Sequence, residues 1–121
     1  YSGVFSERYH DQSHGQSFFS VLMKQTNKNG LYLLDEPEAA LSCQNQLALL
    51  YLIQSCVKQN CQFIIATHSP ILLGFPGAQI LSFDEGKVEE VDYKSTSSYQ
   101  TMKLFLDRYD YFVKDIKEND N

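Results

Sequence analysis

The fold and the chemistry of this chain are decided by L-Y-L-L-D-E-P, residues 31–37. The apolar run predicts a buried strand, and the proline after two carboxylates breaks it. Packing alone does not explain why Asp35 and Glu36 end a buried strand, because an ionised carboxylate is costly to desolvate without a partner. At the carboxyl edge of an α/β sheet, where ligands bind, Asp35 could contact Mg²⁺ through water and Glu36 could activate a water. The alternative is a strand end whose two acids are simply solvated.

The composition is that of an ordinary globular domain. The chain has 121 residues, of which 43% are hydrophobic and 21% charged, and this is enough for about one domain. Its net charge of −5 does not favour an intrinsic nucleic-acid surface. No apolar stretch approaches the roughly 20 residues of a membrane span, and no signal peptide is visible. The cysteines, Cys43, Cys56 and Cys61, are odd in number and lack C-x-x-C spacing, which favours reduced thiols in a cytoplasmic protein.

The periodicity of apolar residues predicts an α/β fold. A helix starting at Ser13, a strand over residues 31–34, a helix that Ser42 caps and that runs to about residue 58, and a strand over residues 62–67 follow one another. Both strands are expected to be fully buried, and the second helix to be covered on several sides. The chain is thus predicted to form a mostly parallel sheet flanked by helices, with mixed edges.

The carboxyl-terminal quarter predicts a hairpin and two helices. Residues 79–84 and 87–93 flank the turn sequence Glu85-Gly86, and helices are expected over residues 96–107 and 109–117. One apolar stripe runs along the helices, which we interpret as a core or subunit contact; it comprises Phe105, Tyr109, Phe112 and Ile116.

A second polar motif, A-T-H-S-P, follows the second predicted strand at residues 66–70. Because parallel strands end at the same edge of a sheet, His68 is expected near Asp35. A histidine there can donate a hydrogen bond to a γ-phosphate oxygen and so sense that phosphate. The alternative is a partly exposed histidine bonded to the backbone.

A third motif, S-H-G-Q at residues 13–16, opens the first predicted helix. A small hydroxyl residue and a glycine at a helix start expose backbone N–H groups, and the positive end of the helix dipole favours phosphate. The alternative is an ordinary N-cap.

In this order, the motifs resemble the carboxyl-terminal half of an ATP-binding-cassette (ABC)-type ATPase domain, a P-loop NTPase-like fold. Residues 13–16 resemble a degenerate signature loop, and residues 31–36 resemble Walker B followed by the catalytic glutamate. Residues 40–42 resemble the D-loop, with Ser42 in the usual Asp place, and His68 matches the switch histidine. The resemblance implies ATP and Mg²⁺ as cofactors, with catalytic Glu36 and His68, Asp35 at the metal, and Ser13, Gly15, Gln16 and Ser42 at the nucleotide.

Glu38 stands after D-E-P, where transporters usually have Thr. In this respect the chain is similar to soluble bacterial predicted AAA/ABC ATPases, relatives of the chromosome-maintenance, DNA-repair and overcoming-lysogenization-defect groups. Residues 1–93 would be the carboxyl-terminal half of the ATPase domain, and residues 94–121 a helical extension. A function of the intact protein on nucleic acid is suggested by family analogy alone.

No G-x-x-x-x-G-K-[ST] loop occurs in the sequence, so the element that grips the β- and γ-phosphates is missing from it. The resemblance implies an amino-terminal half with Walker A before Tyr1, and a head-to-tail homodimer that sandwiches two ATP molecules. The isolated chain would then be inactive. Two alternatives are a truncated, non-catalytic module for dimerisation or regulation, and the nucleotide-binding half of a transporter.

Overall fold

The computed structural model describes Ser20 and residues 29–119 of the chain. The chain divides into two compact units, with the boundary between Phe75 and Pro76. The helix predicted to begin at Ser13 lies, apart from helical Ser20, outside the described residues. The functional division predicted at residue 93 is a different kind of boundary and stays a prediction.

The first unit is built on a strand–helix–strand crossover. Its elements are β1 (Leu31–Asp35), a 3₁₀ turn (Pro37–Ala40), α1 (Cys43–Val57), β2 (Gln62–Ala66) and a second 3₁₀ turn (Leu72–Gly74). The two strands pair in parallel, with Leu31 opposite Gln62 and Asp35 opposite Ala66. Because parallel neighbours need a long connection, α1 is the element that carries the chain back. The predicted α/β class is confirmed.

Two asparagines hold the amino ends of the paired strands together. Asn29 and Asn60 both adopt left-handed backbone, with φ of 66° and 68°, a region that Asn tolerates better than most residues. The Asn60 Nδ2 donates to Asn29 Oδ1 at 2.6 Å, and the Gln62 N–H donates to the Gly30 carbonyl at 2.8 Å. These contacts join the amino ends of the two strands in the register that places Leu31 opposite Gln62.

The core of the first unit lies between one face of the sheet and α1. The helix buries a stripe at helical spacing, made of Gln46, Leu49, Ile53 and Cys56. From the sheet, Tyr32 and Leu34 are buried, and the Tyr32 ring stacks on Phe63 with centroids 5.2 Å apart. Burial of these side chains is what holds α1 on the sheet.

The expectation that both strands are fully buried is wrong for the described part of the chain. Side chains alternate between the faces of a strand, and α1 covers one face only. Leu31, Leu33 and Ile64 point to the other face and are more than half exposed. The helix is likewise covered on one side, since Leu47 and Tyr51 are exposed. A continuous apolar run thus overstated how much of each strand is covered.

The second unit contains the predicted hairpin and helices. Strands β3 (Ile80–Ser82) and β4 (Glu89–Val91) pair antiparallel, and the turn between them places Glu85 and Gly86 at φ of 60° and 75°. Among the described residues these two strands form a two-stranded sheet of their own. The hairpin itself is confirmed.

Two helices follow the hairpin, α2 (Ser97–Asp107) and α3 (Tyr109–Glu118). Thr96 caps α2 by accepting the Tyr99 N–H at 3.2 Å. The Phe105 ring contacts those of Tyr109 and Phe112 at 5.5 and 5.9 Å. No residue of either helix is buried, so the apolar stripe is not a core within this unit. Its interpretation as a subunit contact stays a prediction.

Cys43 is exposed, Cys56 and Cys61 are buried, and the three form no disulfide with one another. Within residues 29–119, no helix combines the length and the apolar character that crossing a membrane requires.

The packing of α1 can be tested with two leucines of the same helix. Leu49 is 0% exposed, whereas Leu47 is 51% exposed. We expect Leu49→Ala to lower the free energy of unfolding by about 2–5 kcal/mol, because it leaves a cavity in the core. The control Leu47→Ala should cost less than about 1 kcal/mol, since exposed positions tolerate change. Urea unfolding followed by circular dichroism measures both, and equal losses would contradict the packing described here.

Candidate functional site

The candidate site lies at the carboxyl edge of the parallel sheet. Asp35 is the last residue of β1 and pairs with Ala66, the last residue of β2. The Glu36 N–H continues the ladder by donating to the Ala66 carbonyl at 2.7 Å. His68 follows two residues later. The structure thus brings the two predicted acids and the segment that carries the predicted histidine to one edge of the sheet.

The backbone at Glu36 is unusual for a residue other than glycine. It adopts φ 47° and ψ 55°, a left-handed conformation that costs an L-residue about 1–2 kcal/mol. The following Pro37 is buried and starts a 3₁₀ turn, and the Ala39 N–H donates back to the Glu36 carbonyl at 3.1 Å. The turn leaves the Glu36 side chain exposed at the end of the strand. Strained backbone of this kind concentrates at functional sites.

Glu38 joins the two strand ends through its side chain. One carboxylate oxygen, Oε1, accepts from the Thr67 hydroxyl at 2.6 Å, and the other, Oε2, accepts from the His68 N–H at 2.9 Å. The Thr67 hydroxyl in turn accepts the Ser69 N–H at 3.0 Å. In the sequence, Glu38 after D-E-P indicates the family and does not by itself predict this contact. The signal was an acid just after one strand end and a Thr-His pair just after the other.

A buried polar pair fixes the segment after His68. Ser69 Oγ donates to Gln46 Oε1 at 2.5 Å and accepts the N–H groups of Ile71 and Leu72 at 3.1 Å each. Gln46 Nε2 donates to the Leu41 carbonyl at 3.1 Å. Both side chains are buried, and buried polar atoms are stable only when they are paired in this way. The loop after β2 is therefore tied to α1, and sequence reasoning did not predict this pair.

The other predicted residues fall into two groups. Ser42 is confirmed as the N-cap of α1, because its hydroxyl accepts the Asn45 N–H at 3.1 Å. Its predicted contact with nucleotide stays a prediction. Ser13, Gly15 and Gln16 of the predicted signature loop lie outside the described residues.

The donor set fits a loosely held Mg²⁺ and not a closed metal cage. Asp35 and Glu36 are exposed, and their carboxylate oxygens are the ligand type that Mg²⁺ takes. Within the described part of the chain, no three His, Cys, Asp or Glu side chains gather in a group that could hold a metal. Mg²⁺ usually keeps several waters and binds through one or two carboxylates plus substrate phosphates. Asp35 could supply one such contact.

The strain at Glu36 predicts how two substitutions rank in stability. Glycine adopts left-handed backbone without steric penalty, whereas alanine does not. We expect the free energy of unfolding of Glu36→Gly to be about 1 kcal/mol higher than that of Glu36→Ala. Chemical denaturation of the two variants side by side gives the difference. An alanine variant as stable as the glycine variant would show that the turn carries no strain.

Comparisons with known proteins agree with this geometry. Residues 14–73 match the AAA ATPase domain family, a range that contains β1, α1, β2 and the segments that carry Glu36, Glu38 and His68. A protein of Haemophilus influenzae described as an uncharacterized ABC transporter ATP-binding protein is 32% identical over 78 residues. That match covers 64% of this chain and spans about 30% of the relative's length. These similarities support an ABC/AAA-type ATPase fragment.

Proposed function

We propose that the full-length protein binds ATP with Mg²⁺ and hydrolyses it to ADP and phosphate. One observation supports this more than any other, the convergence of Asp35, Glu36 and the His68 segment at one edge of the parallel sheet. These residues lie inside the range that matches the AAA ATPase domain family. Phosphoryl transfer needs positioned groups more than covalent chemistry, and this edge offers them.

Each side chain has a distinct proposed task. Glu36, exposed on its left-handed turn, orients or deprotonates the water that attacks the γ-phosphorus. The exposed His68 imidazole donates a hydrogen bond to a γ-phosphate oxygen, a contact that strengthens as charge develops there. Asp35 would hold Mg²⁺, and the bound ion would neutralise charge on the phosphate oxygens.

The proposal extends to a head-to-tail homodimer with two ATP molecules between the subunits. By the resemblance of their motifs, Ser13, Gly15 and Gln16 would contact the ATP held by the other subunit, with Ser42 at the same interface. A Walker A loop would come from a part of the full-length protein outside this sequence. A cytoplasmic location fits this chemistry.

Two other functions have an observation in their favour. The sequence holds no Walker A loop, which favours a non-catalytic dimerisation or regulatory module. The name of the Haemophilus influenzae relative favours the nucleotide-binding part of a transporter that works with a membrane partner. Glu38 in D-E-P-E counts against the transporter, because transporters usually carry Thr there.

The role of Glu36 is tested in the full-length gene product. Glu36→Gln keeps the size of the side chain and removes its basicity. We expect kcat for ATP hydrolysis to fall by about 10²–10⁴-fold, because a positioned general base contributes on that order. The variant should also accumulate as an ATP-bound dimer, which size-exclusion chromatography with light scattering detects.

The matched control is Glu89→Gln, an exposed acid in the second unit that should turn over like wild type. Wild-type turnover by the Glu36 variant would reject the assignment. A wild-type protein that binds no ATP would favour the non-catalytic module instead.

A further inference from the structure

We propose that Glu38 is a positioning residue for His68 in ATP hydrolysis, an inference that rests on the proposed function. It is carried by the pair of hydrogen bonds from Thr67 Oγ1 and the His68 N–H to the two oxygens of one carboxylate. Glu38 touches the backbone of His68 and not the reacting atoms, so it acts through the histidine.

The His68 backbone depends on this carboxylate for its position. Its side chain is exposed, and within residues 29–119 the bond to Glu38 is the hydrogen bond that fixes the His68 N–H. On the far side, Ser69 is fixed by its buried contact with Gln46. His68 is thus held between two polar contacts, one on each side of its Cα. Removing the Glu38 carboxylate takes away the first of these contacts and leaves the second.

The same contact couples the two halves of the proposed catalytic pair. Glu38 stands two residues after Glu36 in the same tight turn, where the Ala39 N–H donates to the Glu36 carbonyl. A displacement of that turn therefore moves the base and, through the Glu38 carboxylate, the segment that carries His68. The distance between the proposed base, Glu36, and the proposed hydrogen-bond donor to phosphate, His68, is thereby kept constant although the two residues follow different strands.

A carboxylate suits this task better than its neutral analogue. Both partners are donors toward Glu38, and hydrogen bonds to an ionised acceptor are shorter and stronger than neutral ones. A glutamine has only one acceptor oxygen. It can therefore accept the hydrogen bond of the His68 N–H only if its NH₂ group faces Thr67. The Thr67 hydroxyl, which already accepts the Ser69 N–H, would then have to turn its proton elsewhere. Glu38→Gln should therefore be a partial replacement.

A double-mutant cycle in the full-length protein tests the inference. The variants are Glu38→Ala, His68→Ala and the pair of them, each assayed for kcat and for KM of ATP. We expect Glu38→Ala alone to lower kcat by about 10–100-fold, since small misplacements of reacting groups cost that much. KM should change little, because the lost contact matters in the transition state. In the His68→Ala background, Glu38→Ala should have almost no further effect on kcat.

Two further variants separate positioning from general damage. Glu38→Gln should fall between wild type and Glu38→Ala in kcat, and Thr67→Val should have a smaller effect because the His68 N–H keeps its acceptor. Glu89→Gln again serves as the control that should leave turnover unchanged. If Glu38→Ala does not fold, as judged by thermal unfolding, Glu38→Gln and Thr67→Val take its place in the cycle with His68→Ala.

Losses in kcat that multiply in the double variant would overturn the inference, because Glu38 would then act independently of His68. A wild-type rate for Glu38→Ala would overturn it as well. The proposed function fails by a different result, a wild-type full-length protein that binds or hydrolyses no ATP. The two ideas can therefore be rejected separately.

Discussion

The parallel pairing of β1 with β2 is the constraint on which the site depends. It aligns Asp35 with Ala66, and one added bond, from the Glu36 N–H to the Ala66 carbonyl, carries the alignment past the end of the strand. The asparagine pair at the opposite end adds a contact in the same register, and a slip by one residue would turn every side chain to the other face. Two polar segments that are 30 residues apart in sequence thereby become neighbours.

The turn after β1 contains two acids. Glu36 is exposed and has a strained backbone, and Glu38 is partly exposed. Left-handed backbone at Glu36 is held by the ladder bond of its own N–H and by the buried Pro37 that follows. The same turn brings Glu38 back toward the end of β2. One tetrapeptide, D-E-P-E, thus sets both the direction of the chain and the contact between the strand ends.

Sequence reasoning predicted the elements that local patterns determine. Strand positions, the Ser42 cap, the hairpin at Glu85-Gly86 and the shared edge of Glu36 and His68 follow from periodicity, capping chemistry and the geometry of parallel sheets. It could not predict the Glu38 and Gln46 contacts, because each depends on the exact approach of two distant segments. It also overstated burial, since an apolar strand looks the same in sequence whether one face or both are covered. The helical stripe that contains Phe105 is not a core within its unit, and its interpretation as a subunit contact stays a prediction.

The apolar face formed by Leu31, Leu33 and Ile64 has a practical consequence for handling this polypeptide. Parallel sheets are normally sheltered on both sides, so a surface of this kind tends to adhere to whatever apolar material it meets. Preparations of the 121-residue polypeptide by itself are expected to self-associate through this face. The particle size in such samples would then reflect apolar self-association, and it would not change when nucleotide is added.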